Sequence, residues 1–199
     1  MGKILYLECN SGISGDMTVG ALLDLGADRE VLERALGSLG VEGYHLHFGR
    51  AVKCGLDAYD FDVHLEEGGH GHSHTHEHEH MHSHGHAHSH SHSHVHRNLS
   101  DIYRIIERLD SREEVKELAR NMFLIVAEAE AKAHGLPIDE VHFHEVGAID
   151  SIVDIISVAV CLDNLGVKDV VVSPLAEGHG QIRCQHGVIP VPVPATANI

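Results

Sequence analysis

The sequence predicts an α/β fold, with α+β as its variant, built as two small packed lobes separated by a disordered histidine-rich insert. Three observations carry this expectation. Strand-length apolar bursts and 3.6-periodic runs occur on both sides of the chain's middle. Gly, Pro and Ser clusters punctuate them at short intervals. Between the two sides, every even position from His70 to His96 is histidine, fourteen in all. No apolar period survives in that stretch, so it cannot bury enough surface to offset the entropy of ordering it. The boundaries follow: an N-terminal α/β lobe over 1–66, the tract over 67–98, and a second helical and α/β lobe over 99–199.

Composition narrows the partners. Fourteen Lys plus Arg stand against 30 Asp plus Glu, a formal charge of −16 over 199 residues. The basic residues form no cluster, which argues against nucleic acid and anionic membranes and favours cations. Cys9, Cys54, Cys161 and Cys184 lie far apart with no C-x-x-C pair, a pattern suited to a reducing cytoplasm rather than to disulfides or a zinc ribbon. The opening MGKILYLECNSG turns acidic too soon for a signal peptide or a membrane span. A soluble, cytoplasmic protein is expected, and a homo-oligomer is compatible with this composition.

Taken in order, Lys3 to Glu8 reads as a strand, the Gly/Ser run to Asp16 as a loop, and Met17 to Leu25 as a helix. Backbone N–H groups and hydroxyls at Ser11, Gly12, Ser14, Gly15 and Asp16 can face an anion on the helix N-terminus. The plainer reading is a tight turn capped by Asp16, and the spacing matches neither the dinucleotide fingerprint nor the Walker loop. Asp28 caps a second helix whose buried face holds Val31, Leu32, Ala35, Leu36 and Leu39. Alternation at Tyr44, Leu46 and Phe48, then at Tyr59, Phe61, Val63 and Leu65, predicts a β-hairpin turning at Cys54-Gly55. His45 and His47 fall on its wetter face, as ordinary surface histidines.

Beyond the tract, Ser100 is the expected cap of a helix to Leu109. Ser111 with Glu114 suggests a capping box for a longer helix that Gly135-Leu136-Pro137 stops. Its stripe of Val115, Leu118, Met122, Phe123, Val126 and Ala127 is core. Then comes HFHEVGAIDSIVDI. If Val141 to Glu145 is extended, His142 and His144 project to one face about 6–7 Å apart, close enough to share a metal ion with Glu145; a wet strand face is the alternative. Asp150 is placed to cap an apolar helix running to Leu165, or to act as a further ligand. Asp154, one turn on, is a carboxylate among Ile152, Val153, Ile155 and Ile156 and needs a reason. Cys161 in that helix reads as core packing. Lys168 to Ser173 predicts a buried strand. His179 and His186, each beside glycine, bracket a short strand, and three alternate prolines confine the end of the chain to an edge or polyproline segment.

Four blocks in order, GISGDMTVGALLDLGAD, the internal His-rich insert, HFHEVGAIDSIVDI and SPLAEGHGQIRCQHGVIPVPVPAT, resemble the LarC family of nickel-insertion proteins across nearly the whole folded part. Glu8-Cys9 stands where that family has Asp-Cys. The resemblance implies a lyase-type nickel chelatase, or cyclometallase, acting on pyridinium-3,5-bisthiocarboxylic acid mononucleotide. Ni²⁺ would gain two sulfur bonds and one carbon bond to give the nickel-pincer cofactor, in a CTP-dependent reaction. It also implies that CTP, with Mg²⁺ or Mn²⁺, binds a C-terminal region beyond Ile199, either in a longer chain or in a separately encoded partner.

Under that reading the Gly12-to-Asp16 loop is the candidate for the substrate's phosphate. His142, His144, Glu145 and Asp150 are candidate nickel ligands, imidazole nitrogen and carboxylate being suited to Ni²⁺. His144 or Glu145 is the expected base for the ring proton. The tract (His70, His72, His74, His76, His78, His80, His82, His84, His86, His88, His90, His92, His94 and His96) is expected to hold about four ions at three to four imidazoles each. As a flexible linker it spans roughly 30 Å root-mean-square and delivers metal at millimolar effective concentration. Two other functions suit parts of the sequence. A non-catalytic nickel metallochaperone or store would explain the tract, and a metal-dependent hydrolase would explain His142, His144 and Asp150.

Overall fold

The computed structural model describes residues 2–65, 97–143, 147–184 and 187–199. All fourteen tract histidines, together with His144, Glu145 and His186, lie outside the described residues. The elements run β1 (Lys3–Leu7), α1 (Gly15–Asp24), α2 (Arg29–Gly37), β2 (Tyr44–Lys53), β3 (Leu56–Leu65), α3 (Leu99–Glu107), α4 (Glu113–His134), α5 (Ile149–Asn164), β4 (Val167–Val172), β5 (Gly180–Cys184) and β6 (Gly187–Val191). Short 3₁₀ turns at Ile138–Glu140 and Thr196–Asn198 complete them. The α/β class expected from the sequence is the class observed. No helix among the described residues is long and apolar enough to cross a membrane.

The architecture is organised by α5. Its sequence is apolar nearly all round, and a helix of that kind must be covered on several sides. It packs against α1, α2, α4, β3 and β4, burying Ile152, Val153, Ile156, Ala159, Val160 and Cys161. Burial pushes the Cys161 thiol up to about 12, as a thiol that only packs should behave. One core joins Val19, Leu22, Leu32, Leu36 and Phe61 from before the tract to Ile102, Phe123, Phe143 and Ile156 from after it. The two sides are also tied by backbone, because β1 pairs in parallel with β4, from Lys3↔Val167 to Leu7↔Val172.

Several ends sit a residue or two from where the sequence puts them. Ser14, not Asp16, is the N-cap of α1. Asn98 rather than Ser100 caps α3, forming a capping box with Asp101. Arg112 starts α4 without a side-chain cap in place of the Ser111–Glu114 box, and Ala148 rather than Asp150 starts α5. Asp28 does cap α2, its carboxylate accepting from the N–H groups of Glu30 and Val31. Gly135 ends α4 at φ 66°. The expected burial of β4 is not observed: Val170, Val171 and Val172 remain 43–51% exposed. A two-stranded parallel pair offers little cover, and only Leu5 and Val167 from it pack against the core.

The hairpin β2–β3 turns where alternation predicts, in register from Tyr44↔Leu65 to Lys53↔Leu56. Cys54 and Gly55 both adopt positive φ, 53° and 79°, as a two-residue turn compatible with strand twist requires. Cys54 is the only non-glycine residue among those described that stands there. Any Cβ is disfavoured in that region, and asparagine tolerates it better than most side chains. Replacing Cys54 with Asn is expected to stabilise the fold by about 0.5–1 kcal/mol, read as a higher urea midpoint at unchanged slope; an equal or lower midpoint would contradict a strained turn.

Candidate functional site

The first turn of α1 rests on the side of α5. Gly15 is in such close contact that a Cβ built on it would stand 2.8 Å from the carboxyl carbon of Asp154. Only glycine allows this approach. The Asp154 carboxyl is thereby wedged between two helices, with Oδ1 buried and unpartnered among the described residues. The hydroxyl of Ser157, wholly buried, is likewise unpartnered. Desolvation, followed by the negative charges of Asp16, Asp150 and Asp62, pushes the Asp154 carboxyl up to about 7. The backbone N–H of Asp16 works in the opposite direction. A carboxyl poised at neutrality at the meeting point of three others can take up a proton or a cation.

The Gly/Ser loop that leads into α1 is laced to the segment after β4. The Cys9 N–H donates to Ser173 Oγ at 2.8 Å, and the Ala176 N–H donates to the Cys9 carbonyl at 3.2 Å. Gly12, at φ 90°, passes so near the Ala176 carbonyl that a Cβ would stand 3.3 Å from it. Ser11 is exposed. The Ser14 hydroxyl donates to the Asp16 carboxylate, and the Thr18 hydroxyl donates to the Ser14 carbonyl. Of the loop residues singled out from the sequence, Asp16 therefore faces other carboxylates, and the charge around the start of α1 is negative.

The described residues on either side of His144 to Val146 are tied to Arg97. Val141 and Phe143 are buried while His142 is exposed, the alternation of an extended chain. The Phe143 N–H donates to the Arg97 carbonyl at 3.0 Å, and the Arg97 guanidinium donates to the Gly147 carbonyl at 2.6 Å. Arg97 directly follows the last tract histidine, so the tract's C-terminal anchor holds both of these flanks. Its N-terminal anchor is Leu65 of β3, the strand that packs on α1 and α5. Asp150 is exposed in the first turn of α5, its carboxylate accepting from the Ser151 N–H.

Asp16 and Asp150, chosen from sequence on separate grounds, thus share the surroundings of Asp154. His144 and Glu145 cannot be placed beside them, and no three His, Cys, Asp or Glu side chains among the described residues stand ready to hold one metal ion. Asp154 itself is the residue that sequence reasoning left without a role. Its signal was a carboxylate inside an apolar helix. Asp62 gave no signal, because its nearness to α5 arises only from tertiary packing.

Residues 5–199 match the family model described as nickel insertion protein. The chain is 58% identical over its full length to a protein of Alkaliphilus metalliredigens named pyridinium-3,5-bisthiocarboxylic acid mononucleotide nickel insertion protein, covering 46% of that relative. It is 48% identical to a like-named protein of Geobacillus kaustophilus, over 99% of this chain and 44% of the relative, and 39% identical to one of Staphylococcus epidermidis, over 100% and 44%. No solved structure matches significantly. The chain spans less than half the length of these relatives. It belongs to the nickel insertion protein family.

Proposed function

We propose that this chain supplies the nickel-handling part of a protein that inserts Ni²⁺ into pyridinium-3,5-bisthiocarboxylic acid mononucleotide, the substrate named in its relatives. The observation that carries the reading is the Asp154 carboxyl, wedged against Gly15 where the Gly/Ser loop meets α5, with Oδ1 unpartnered among the described residues, and pushed up to about 7 by desolvation and neighbouring carboxylates. Replacing a ring C–H by C–Ni releases one proton. A general base is most effective when its pKa lies near the working pH, and Asp154 meets that condition. In this reading it receives the ring proton through its carboxylate, in the role first considered for His144 or Glu145. His142, His144, Glu145 and Asp150 then serve as ligands that bring nickel to the ring, their nitrogen and oxygen donors suiting Ni²⁺.

The electrostatics bear on the phosphate as well. Asp16, Asp150 and Asp154 would repel a bare phosphate at the start of α1, and a cation lying between carboxylates and phosphate removes the conflict. The backbone at Ser11, Gly12, Ser14 and Gly15 is the proposed cradle on that side. A separate C-terminal portion is the proposed nucleotide carrier. The tract acts as a nickel reservoir anchored at Leu65 and Arg97.

In the complete protein, Asp154→Asn is expected to lower nickel insertion by about 10²–10⁴-fold while nickel binding persists, and to abolish the rise in wild-type rate through pH 7. Insertion at the wild-type rate would overturn the assignment. Deleting residues 70–96 should reduce nickel occupancy when metal is scarce and change little in excess; complete loss at saturating nickel would refute a reservoir.

Stability gives an independent reading of the same carboxyl. Its folded pKa is raised, so between about pH 4 and pH 7 the folded state keeps a proton that the unfolded state has lost, and stability falls as pH rises across that window. Asn at this position does not titrate. The advantage of Asp154→Asn over wild type should therefore grow from about pH 4 to pH 7 and level off above, reaching at most about 4 kcal/mol. Denaturation midpoints at pH 4.5, 6 and 8, without metal, measure it, and a pH-independent difference would show that Asp154 is not desolvated.

A further inference from the structure

The outer face of the β2–β3 hairpin carries imidazoles that the reading above leaves unused. Alternation alone puts His45 and His47 on this face. The register adds what alternation cannot: His45 lies directly opposite His64, and His47 opposite Asp62. The rings of His45 and His64 are centred 5.0 Å apart, and those of His47 and His64 5.8 Å. Two imidazoles bound to one ion at about 2.1 Å per metal–nitrogen bond have ring centres roughly 4.5 Å apart when cis and 6.5 Å when trans. Both observed separations fall inside that window.

Two carboxylates of β3 lie beside two of these rings. Asp62 Oδ2 lies 3.1 Å from His64 Nε2, and Asp60 Oδ2 lies 3.4 Å from His47 Nε2. A carboxylate on one imidazole nitrogen fixes the tautomer and strengthens the other as a ligand, the arrangement that surrounds many metal-bound histidines. Gly49 makes room for it. A Cβ there would stand 2.8 Å from His47 Nε2, so a side chain at 49 would displace the ring from where it lies along the strand. A glycine inside a strand commonly marks such a close approach. The nitrogens do not converge as the rings stand. All three side chains are exposed, and exposed side chains change rotamer within nanoseconds.

We propose that His45, His47 and His64 form a divalent-metal site on the hairpin, distinct from the carboxylates around Asp154, and that it accepts Ni²⁺. Water completes the coordination. As a metal site it stands on the hairpin geometry alone; as a relay in nickel insertion it rests on the function proposed above. Its position suits a relay, since β3 ends at Leu65 where the tract begins, and Asp62, the partner of His64, also contributes to the field on Asp154.

The test is histidine footprinting on the full chain with nickel alone, without mononucleotide, so that the outcome is independent of insertion. Diethyl pyrocarbonate modification is followed by peptide mapping, with nickel added beyond the capacity of the fourteen tract histidines. Modification of His45, His47 and His64 is expected to slow at least tenfold with nickel. In His64→Asn, and equally in His64→Gln, protection of His45 and His47 should be lost to within twofold of the metal-free rate, with an unchanged thermal melt. Equal modification with and without nickel, or protection of His45 and His47 that survives both substitutions, overturns the site.

Discussion

The structure depends on how one carboxyl is accommodated. α5 is apolar enough to be covered from several sides, yet Asp154 interrupts it one turn from its start. Burying a carboxylate without a partner is costly, and proteins commonly answer by raising its pKa until the neutral form is populated. Here α1 begins with glycine against that carboxyl, and the helix that could have moved away is held by Val19, Leu22 and Leu23 in the core. The packing that completes the core is therefore the packing that desolvates Asp154. Stability and a poised proton acceptor oppose each other at this position, which is the pattern expected where local rules are broken for function.

The same contact explains why motifs distant in sequence meet. Gly12 and Gly15 bring the first loop close to Ala176 and to Asp154 respectively. Phe143, buried beside the exposed His142, is tied to Arg97 through its backbone N–H. Small or buried residues set the approach, and the polar residues between them are carried to the surface. The parallel pairing of β1 with β4 closes the arrangement from the other side, threading the chain's first strand onto a strand that follows α5.

Much of this was legible in the sequence, for identifiable reasons. The β1–loop–α1 unit, the Gly135 stop and the Cys54-Gly55 turn rest on backbone requirements that few residues meet, and each stands where those residues stand. Caps were less legible, because Ser14, Asp16, Asn98 and Ser100 all offer competent oxygens within two residues of the true start. The valines of β4 read as buried because a parallel strand is ordinarily covered on both faces, and this pair is not. For the candidate site, Asp150, Asp16 and the anomaly of Asp154 were visible one at a time. Their convergence was not, since it depends on α1 crossing α5. The meeting of His45 and His64 lies between these cases: once a two-residue turn at 54–55 is accepted, counting outward pairs them, so periodicity gives the face and the turn gives the neighbour.

Metal chemistry supplies the last constraint. A row of imidazoles binds copper more tightly than nickel, so a reservoir of the kind proposed could not select its cargo by affinity. Selection has to come from donors with fixed positions and from a reaction that only the right ion completes. In the two proposals above, the hairpin imidazoles beside Asp60 and Asp62 and the carboxylates around Asp154 are the smaller donor sets that would supply that geometry. Passage toward them exchanges number of ligands for geometry. Under the proposed function it would also change donor type, from nitrogen alone to nitrogen with oxygen, before the sulfur and carbon donors of the proposed substrate took the ion over. A site that bound nickel as tightly as the substrate does would stop the transfer. The partly buried carboxyl of Asp154, pushed up by desolvation and its acidic neighbours, is suited in that proposal to accepting the proton while the metal moves on.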